Sequence, residues 1–319
     1  MRRSLNLLRA GGLLLCLLLP GCSVQTAPAH GESAVTVPHS PDDTLVPGVV
    51  HRAIPLADGT GIDVIDVDLS TADAHLIIQT RGINLASGRV VGQAFTPHDW
   101  LTRLHGLAAV NGGYFGGEDE QGRKEFVGLL VQKGRVRHAA PPIFGQGSAT
   151  IRRGQYVRSA FGLTAQGKPT ITWAATGIGQ PQALYAYAGP MGKRSQSWPV
   201  FKAVGCGPTL ITQGRISVSQ SQERLISPGP EPRTFVAYDG VNGQPRHLIF
   251  GIASGASFTD LARFLAAYFP RYDSTPAEAA MCLDGGASTQ MTYKLNGNLQ
   301  SPRETGVTVP DALVLLPGR

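Results

Sequence analysis

The 319-residue sequence lacks the motifs of several large enzyme classes. It has no G-x-x-x-x-G-K-[ST] phosphate loop, no strand-G-x-G-x-x-G-helix unit, no H-E-x-x-H pair and no G-x-S-x-G elbow. Its eight histidines are scattered without the spacing of metal ligands. We therefore expect no metal and no cofactor, and the enzyme classes that depend on these motifs are excluded.

Charged residues are scarce, whereas glycine and proline are abundant. Only 16% of the residues are charged, and the chain has 40 glycines and 23 prolines. This composition is typical of many short strands joined by tight turns. The net charge of +6 includes three arginines close to residue 1, so the rest of the chain is only weakly basic. The chain lacks the strong net positive charge that is typical of nucleic-acid-binding proteins, and we expect no nucleic-acid partner.

No apolar run is long enough to cross a bilayer. The longest, at residues 11–19, is far shorter than the roughly 20 residues of a spanning helix, and arginines precede it. It predicts a signal peptide over residues 1–21. The run ends in Leu19-Pro20-Gly21-Cys22, which resembles a bacterial lipobox, so we expect a lipid on Cys22. The chain would then be anchored to a bacterial membrane in the cell envelope, with Ser23 favouring the outer membrane; an incidental cysteine in a secretory signal is the alternative.

The chain divides into three parts. Residues 22–47 are rich in Ser, Thr, Pro and Ala, have no apolar periodicity, and predict a flexible tether. Residues 48–319 are numerous enough to bury a substantial core, and we expect them to form one domain. The sequence leaves the oligomeric state open.

Only two cysteines belong to the predicted domain. Cys16 leaves with the signal peptide and Cys22 carries the lipid, so Cys206 and Cys282 remain in an oxidising compartment. They are a possible disulfide, or two buried thiols.

Strand patterns predominate over helix patterns. Strands are indicated at 62–69, 74–80, 107–110, 126–131, 135–138 and 312–316. A slip in the alternation at Val64 and Ile65 predicts a bulge. Two helices are indicated, one entered through Thr96-Pro97 and one through Ser257. The fold class is therefore α+β, a single domain built on a large mixed or antiparallel sheet with few helices.

Three glycine-flanked polar clusters lie at the ends of apolar strands. They are Asn111-Gly112-Gly113-Tyr114, Arg233-Thr234 and Asp284-Gly285-Gly286-Ala287-Ser288-Thr289. Paired glycines bring peptide N–H groups close to a ligand, an arginine offers a planar fork of donors to a phosphate, and a carboxylate stands beside them. Each cluster alone is also an ordinary turn sequence. Together they predict a site for a phosphate ester of a sugar.

Five segments occur in the order of a known family. They are NGGYF at 111–115, GCGPTLITQGR at 205–215, PRT at 232–234, LDGGAST at 283–289 and VPDALVLL at 309–316. Over roughly residues 82–316 the chain resembles the phosphodiester glycosidase, or uncovering-enzyme-like, domain family. The resemblance implies a hydrolase that cleaves the bond between a sugar's anomeric carbon and the phosphate of a phosphodiester. Its substrate would be an anionic sugar phosphate or polysaccharide.

The resemblance also implies roles for individual residues. Asn111, Arg233 and Asp284 are implied to be catalytic. The residues implied to bind substrate are Gly112, Gly113, Tyr114, Thr234, Gly285, Gly286, Ser288 and Thr289. Departure of phosphate from an anomeric carbon passes through an oxocarbenium-like state, which favours Asp284 as the stabilising carboxylate and Arg233 as the phosphate clamp. Glu125 and Glu223 are the candidates for a second carboxylate.

Two other function classes stay open. One is a non-catalytic envelope protein that binds or helps to assemble anionic exopolysaccharide. The other is a structural lipoprotein in which the glycine motifs are only turns. Turnover of a sugar phosphodiester separates the enzyme from both.

Basic residues are concentrated in one stretch. Residues 121–202 contain twelve lysines or arginines and one acid, Glu125. The basic residues are Arg123, Lys124, Lys133, Arg135, Arg137, Arg152, Arg153, Arg158, Lys168, Lys193, Arg194 and Lys202. The stretch favours anionic partners. Alternatively, most of these residues are solvated strand faces or edge residues that discourage aggregation.

Overall fold

The computed structural model describes residues 36–85, 88–144, 155–226, 229–240 and 244–318. The expected signal peptide, Cys22 and the first part of the expected tether lie outside the described residues. None of the helices within the described ranges is long and apolar enough to cross a membrane.

Strands make up most of the regular structure. In chain order they are β1 (Asp43–Val46), β2 (Val49–Pro55), β3 (Gly61–Asp68), β4 (Ala74–Thr80), β5 (Gly82–Asn84), β6 (Val90–Gln93), β7 (Ala108–Asn111), β8 (Phe115–Glu118), β9 (Arg123–Phe126), β10 (Leu130–Gln132), β11 (Arg135–His138), β12 (Ile143–Phe144), β13 (Gln155–Tyr156), β14 (Arg158–Leu163), β15 (Pro169–Gly177), β16 (Gln180–Tyr187), β17 (Arg194–Ser197), β18 (Lys202–Cys206), β19 (Thr209–Thr212), β20 (Arg215–Ile216), β21 (Glu231–Asp239), β22 (His247–Ala256), β23 (Ala277–Cys282), β24 (Met291–Leu295), β25 (Asn298–Arg303) and β26 (Asp311–Pro317). The helices of the described residues are α1 (Pro97–Leu104) and α2 (Phe258–Tyr272), with one 3-10 turn at Gly286–Ser288. The expected α+β domain with a dominant sheet and few helices is confirmed.

All strand pairs of the described residues are antiparallel. The largest sheet has eight strands in the order β1-β2-β3-β22-β21-β23-β19-β20, and a second has seven in the order β11-β10-β18-β14-β15-β16-β17. A five-stranded sheet has the order β25-β24-β7-β26-β4, and smaller sheets are β5-β6-β9-β8 and β12-β13.

The main core lies between the eight-stranded and five-stranded sheets. Phe250 and Met281 of the larger sheet pack in one cluster with Val110 and Leu313 of the smaller sheet. Helix α2 covers the opposite face of the larger sheet, and α1 covers the opposite face of the smaller one. This layering places the ends of β7, β21, β23 and β26 close together.

Both helices begin where their sequences predict. Asp99 N donates to Thr96 Oγ1 at 3.1 Å, and Thr96 N donates to the Asp99 carboxylate at 3.3 Å, which is a capping box. Asp260 N likewise donates to Ser257 Oγ at 3.1 Å. These side chains satisfy amide groups that the first turn of a helix leaves without partners.

The bulge expected at Val64 and Ile65 is wrong. Strand β3 pairs with β2 and with β22 without a shift in register. Ile62 and Val64 pack on the side of α2, whereas Ile65 and Val67 face the core between the sheets. Because both faces of β3 are covered, apolar residues occur on both, and the alternation breaks without a bulge.

The sequence predicts one strand over residues 126–131, and this prediction is wrong. Strand β9 ends at Phe126 and β10 begins at Leu130. Between them, Gly128 lies against β18, where a Cβ atom would come within 2.4 Å of the Gly205 carbonyl oxygen. This close approach interrupts the strand. The hairpin of β10 and β11 is observed, with Gln132 paired to Arg135.

The folded domain begins before residue 48. Residues 36–47, expected to be tether, belong to it: Val37 is only 6% exposed, in the cluster around α2. Ser40 N donates to Tyr272 Oη at 3.0 Å, and Arg52 Nε donates to Asp42 Oδ1 at 2.6 Å. The expected boundary is therefore too late. Polar contacts attach much of this segment to the domain. Because such contacts need no repeating pattern of apolar residues, nothing in the sequence indicated that the segment is folded.

Candidate active site

Strands β7 and β26 bring the first cluster against Asp311. Asn111, the last residue of β7, pairs with Ala312 near the start of β26. The chain then turns through Gly112, whose N–H donates to the Asp311 carbonyl oxygen at 3.1 Å. The first cluster thus follows directly from the antiparallel register of two buried strands.

Strands β21 and β23 bring the second and third clusters to the same place. Phe235 of β21 pairs with Cys282 at the end of β23. Thr234 therefore lies just before this pair and Asp284 just after it. Asp284 N donates to the Gly112 carbonyl oxygen at 3.0 Å, which links the third cluster to the first. The structure thus brings all three clusters together.

Asn111 is the hub of these links. Its side chain is fully buried, and its Nδ2 donates to the Asp284 carbonyl oxygen at 2.7 Å. Its Oδ1 accepts hydrogen bonds from Thr234 Oγ1 at 2.6 Å and from Gln290 N at 3.2 Å. Asn111 therefore positions the Asp284 loop, and the catalytic role implied for it stays a prediction.

Asp284 presents a partly buried carboxyl group. Its Oδ1 accepts from Gly285 N at 3.0 Å. Burial raises the pKa of Asp284 to about 6, although hydrogen bonds from Ser288 and from the Gly285 amide act in the opposite direction. A carboxyl group with a pKa near neutrality is suited to proton transfer or to charge stabilisation.

Asp311 is a second carboxyl group of this site, and sequence reasoning missed it. It is 1% exposed, and its Oδ1 accepts from Gly113 N at 2.7 Å. Burial, with a contribution from the negative charge of Asp284, raises the pKa of Asp311 to about 7. The sequence feature that could have identified Asp311 is the VPDALVLL segment, in which a single acidic residue begins an otherwise apolar strand.

The glycines of the first cluster are required by close packing. A Cβ atom on Gly112 would lie 1.7 Å from Asp311 Oδ1, and one on Gly113 would lie 2.4 Å from Val204 Cγ2. No side chain fits at either position. The two glycines therefore allow the Asp311 carboxylate to approach the backbone amide of Gly113.

Arg233 lies behind the Asp284 loop and is only 5% exposed. Its Nε donates to the Ala256 carbonyl oxygen at 3.1 Å, and its Nη2 donates to that of Gly229 at 3.0 Å. The guanidinium also stacks 4.0 Å from the centre of the Phe258 ring and lies 3.4 Å from a Glu231 oxygen. The guanidinium of Arg233 thus already contacts carbonyl oxygens, a carboxylate and an aromatic ring of the protein. The role of Arg233 as phosphate clamp stays a prediction.

The remaining residues of the third cluster shape the loop. Ser288 is buried, and its hydroxyl acts to lower the pKa of Asp284. Thr289 is also buried, and its Oγ1 has no hydrogen-bond partner among the described residues. Gly286 has φ of +59°, which favours glycine. The substrate contacts expected of Gly285, Gly286, Ser288 and Thr289 stay predictions.

A cavity of about 390 Å³ lies next to the first cluster, with Tyr114 in its wall, and Asp284 is not among the residues that line it. Tyr114 and Cys206 line it, and the negative charge of Asp284 adds to burial in raising the pKa of each well above its ordinary value. Tyr114 Oη donates to the Gly207 carbonyl oxygen at 2.7 Å, which fixes the ring against the cavity. Much of the remaining wall is apolar or small: Val127, Gly128, Leu129, Ala139, Ala140, Pro141, Pro142, Ile143, Val157, Ala174 and Gly205.

Arg158 is the cation of this cavity. Its guanidinium lies 6.0 Å from the centre of the Tyr114 ring and 5.7 Å from that of Tyr156. Its Nη1 is buried without a hydrogen-bond partner, and Arg158 forms no ion pair with any described residue. In the sequence, Arg158 is one of twelve cations of the basic stretch, and no pattern distinguishes it from the others. An unpaired guanidinium in a cavity is a binding group for an anion.

The two cysteines of the domain are free and buried, so the possible disulfide between Cys206 and Cys282 is not formed. Burial raises the pKa of both thiols, to about 12 for Cys282. Cys282 N donates to the Pro208 carbonyl oxygen at 2.9 Å, so the two strand ends are neighbours. The second alternative, two buried thiols, is the arrangement observed.

Neither glutamate proposed as second carboxylate shares the site. Glu125 pairs with Arg89 at 2.8 Å on the surface. Glu223 is fully buried, and it accepts from Ser159 N at 2.9 Å and from Trp173 Nε1 at 3.0 Å. Glu223 thus fastens the strands behind the cavity. The second carboxyl group at the site is Asp311, which was neither of the two candidates.

One further group of acids and histidine has metal-like spacing. Among the described residues, Asp66, His247 and Asp273 bring ligand atoms within 4.8 Å of one another. Arg52 Nη1 donates to Asp66 at 2.6 Å, and His247 Nδ1 lies 3.2 Å and 3.4 Å from the two carboxylates. The pKa of His247 is raised, because interactions with these acids outweigh burial. The group is therefore an ion-pair network, at the end of β22 opposite to the active site.

The comparisons with known proteins agree with the five-segment resemblance. The sequence matches the family model described as phosphodiester glycosidase over residues 105–316. It matches no curated protein.

Several solved structures are similar to this chain. The catalytic domain of zebrafish N-acetylglucosamine-1-phosphodiester alpha-N-acetylglucosaminidase, auto-inhibited by its pro-peptide, is 15% identical, with a TM-score of 0.49 and coverage of 87% of each chain. A hypothetical protein from Synechocystis is 17% identical, with a TM-score of 0.48, and the alignment covers 84% of this chain but only 61% of that one. A putative exported protein from Burkholderia pseudomallei is 15% identical, with a TM-score of 0.46 and coverage of 84% and 74%.

The family-model match spans more than half of the chain and contains all the residues that meet at the candidate site, from Asn111 to Asp311. The chain therefore belongs to the phosphodiester glycosidase family, a family of hydrolases.

Proposed function

We propose that this protein hydrolyses the glycosyl–phosphate bond of a sugar-1-phosphodiester in a glycan or glycoconjugate. The observation that carries the proposal is a pair of carboxyl groups, Asp284 and Asp311, held on either side of Gly112, two residues before Tyr114, which lines a cavity of about 390 Å³. Burial raises the pKa of the first to about 6 and that of the second to about 7. Family membership supports the class of reaction.

The reaction replaces the bond between the anomeric carbon and the phosphate oxygen with a bond to water. The electron pair of the broken bond stays on the phosphate oxygen, which becomes part of a phosphomonoester. The water oxygen joins the anomeric carbon, and one proton is released. Positive charge develops on the sugar in the transition state, and we assign its stabilisation to the Asp284 carboxylate.

The two carboxyl groups have different roles. Asp284 is the more exposed of the two carboxyl groups, so we assign the contact with the substrate to it. Asp311 is buried beneath the loop and engages Gly113 N, so it acts as a positioning residue. Because phosphate is already a good leaving group, the reaction has less need of a second catalytic acid than cleavage of an ordinary glycoside.

Arg158 supplies the positive charge for the phosphate. It lines the cavity beside Tyr114, and none of the described residues neutralises it. The guanidinium fork matches the oxygens of a phosphodiester in shape and charge. This assigns to Arg158 the anion contact that the sequence suggested for Arg233.

The proposal is tested by replacing Asp284 in the soluble domain. We expect Asp284→Asn to lower kcat for a chromogenic sugar phosphodiester by roughly 100-fold or more, because the amide keeps the shape of the side chain and removes its charge. Thermal stability should change little. In the parent, kcat should fall as the pH drops below about 6, where Asp284 becomes protonated.

Asp58→Asn is the matched control, since Asp58 lies in an exposed turn where its carboxylate accepts from Thr60 N at 2.9 Å. It should keep parental turnover. A folded Asp284→Asn variant with parental turnover would remove Asp284 from the mechanism. If the parent binds anionic exopolysaccharide without any turnover, it is the binding protein that the sequence left open.

We also propose that the enzyme acts in the cell envelope of a bacterium, anchored by a lipid on Cys22. The support is the apolar run with basic residues before it and the lipobox-like segment that ends in Cys22. Cys22→Ala is expected to abolish labelling by a fatty-acid analogue and to release the protein from membranes, because a lipid chain supplies the membrane affinity. Retention of the variant in the membrane fraction, at the level of the parent, would contradict the anchor.

A further inference from the structure

A basic surface lies outside the active-site cavity. Arg81, Lys133, Arg135 and Arg137 line a cleft of about 570 Å³, together with Thr80, Gly82, Leu130 and Gln132. Arg135 and Arg137 also line an adjoining cleft of about 420 Å³. We call these four cations the basic track. No acidic residue lines either cleft.

The cations of the basic track have no counter-charge among the described residues. None of the four forms an ion pair with a residue that the structure describes. Glu125, the single acid of the basic stretch, pairs with Arg89 instead. The positive charge of Lys133 adds to burial in lowering the pKa of neighbouring Lys202. The surface therefore has an uncompensated positive potential.

One hairpin connects the basic track to the active-site cavity. The turn between β10 and β11 carries Lys133, and Arg135 and Arg137 follow on β11. The open end of the same hairpin continues into Leu129 and Ala139, which line the cavity. At about 3.3 Å per residue, the distance from Arg135 to Ala139 is roughly 13 Å. A ligand chain that leaves the cavity along this hairpin would meet the cations within a few sugar units.

We propose that the basic track binds a polyanionic glycan, namely the charged repeats next to the phosphodiester that is cleaved. The inference rests on the proposed function and names the substrate as a polymer, because one phosphodiester in the cavity requires only Arg158. The clefts are concave, which suits a chain better than the flat surface of a bilayer. Strand β11 is an edge strand, and basic residues discourage edges from pairing, but Arg81 and Lys133 lie outside that strand and line the same cleft.

Binding of labelled poly(glycerol phosphate) to the full-length protein, measured by fluorescence anisotropy, tests the proposal. This polymer has phosphodiester charges but no glycosyl–phosphate bond, so binding is separated from cleavage. We expect the parent to bind it more weakly as salt increases, and not to bind neutral dextran. The double variant Arg135→Gln/Arg137→Gln should bind at least tenfold more weakly while it hydrolyses a small chromogenic sugar phosphodiester at the parental rate.

The matched control is Arg215→Gln/Arg271→Gln, which removes the same charge from exposed positions on β20 and α2. It should bind like the parent. The proposal is overturned if the track variant binds like the parent, if the control weakens binding equally, or if the parent binds phosphatidylglycerol vesicles but not the polymer. If the parent hydrolyses the small substrate but does not bind the polymer, only the proposal for the basic track is contradicted. If the parent binds the polymer but has no turnover, the proposed function is contradicted instead.

Discussion

Two arginines near the candidate active site show that the surroundings of a side chain, more than its residue type, decide which groups it can bind. Arg233 is buried, and its donors contact the carbonyl oxygens of Ala256 and Gly229. Arg158 lines the cavity, and its Nη1 has no hydrogen-bond partner among the described residues. The donors of Arg233 therefore tie the start of β21 to the end of β22, whereas Arg158 keeps a donor without a partner, and we propose that it binds the anion.

Replacing each arginine by glutamine separates these roles. Arg158→Gln should raise KM for a sugar phosphodiester roughly tenfold or more and leave the melting temperature near that of the parent, because it removes an unpaired charge. Arg233→Gln should lower the free energy of unfolding by about 1–3 kcal/mol or more, because buried carbonyl oxygens lose their donors. Thermal melts and steady-state kinetics of both variants provide the measurement. The reverse pattern, with activity lost from a fully stable Arg233→Gln variant, would restore Arg233 as the phosphate clamp.

At the scale of elements, the turn after β7 holds the two carboxyl groups together. Gly112 donates its N–H to the Asp311 backbone and accepts from Asp284 N, so one residue connects β26 with the loop after β23. The arrangement depends on the missing side chain, since a Cβ atom would lie 1.7 Å from the Asp311 carboxylate. Packing at this point therefore fixes the positions of Asp284 and Asp311 relative to each other.

We expect Gly112→Ala to destabilise the domain by roughly 1–3 kcal/mol and to abolish most of the activity, because the turn must move away from Asp311. Gly117→Ala is the control, since a Cβ atom at Gly117 would have no neighbour within 4 Å. Denaturant unfolding and turnover of the same substrate compare the two. A Gly112→Ala variant as stable and as active as Gly117→Ala would show that the turn tolerates a side chain, and that the two carboxyl groups need not be held so closely.

At the scale of the whole molecule, residues 36–47 form part of the domain. They bury Val37, place Ser40 against α2, and give Arg52 an ion pair with Asp42. A chain that begins at residue 48 loses all of these contacts. It also exposes the edge of β2 that β1 covers.

A chain that begins at residue 48 should therefore be less stable than one that begins at residue 36, by roughly 2–4 kcal/mol. Urea unfolding of the two chains, each with an added initiator methionine, measures the difference. Both should keep the active site, which lies on other strand ends. Coincident unfolding curves would mean that residues 36–47 contribute nothing to stability.

Local patterns in the sequence determined the elements that depend on neighbours along the chain. Thr96 and Ser257 cap the helices they precede, and β11 and β26 form where alternation and apolar runs indicated strands, because caps, turns and side-chain periods act over a few residues. The three glycine clusters were identifiable for the same reason: each is a short motif at the end of an apolar run.

Tertiary structure alone decided which side chains meet and which are buried. Asp311 became part of the site because β26 pairs with β7, about two hundred residues away in sequence, and burial then raised its pKa to about 7. Arg233 and Arg158 differ in exposure and in hydrogen-bond partners because distant strands set both properties. The covered second face of β3 likewise explains why its broken alternation was mistaken for a bulge. The spacing of apolar residues indicates which side of a helix or strand is buried. The pKa of a side chain, its burial and its hydrogen-bond partners depend on contacts that only the folded chain creates.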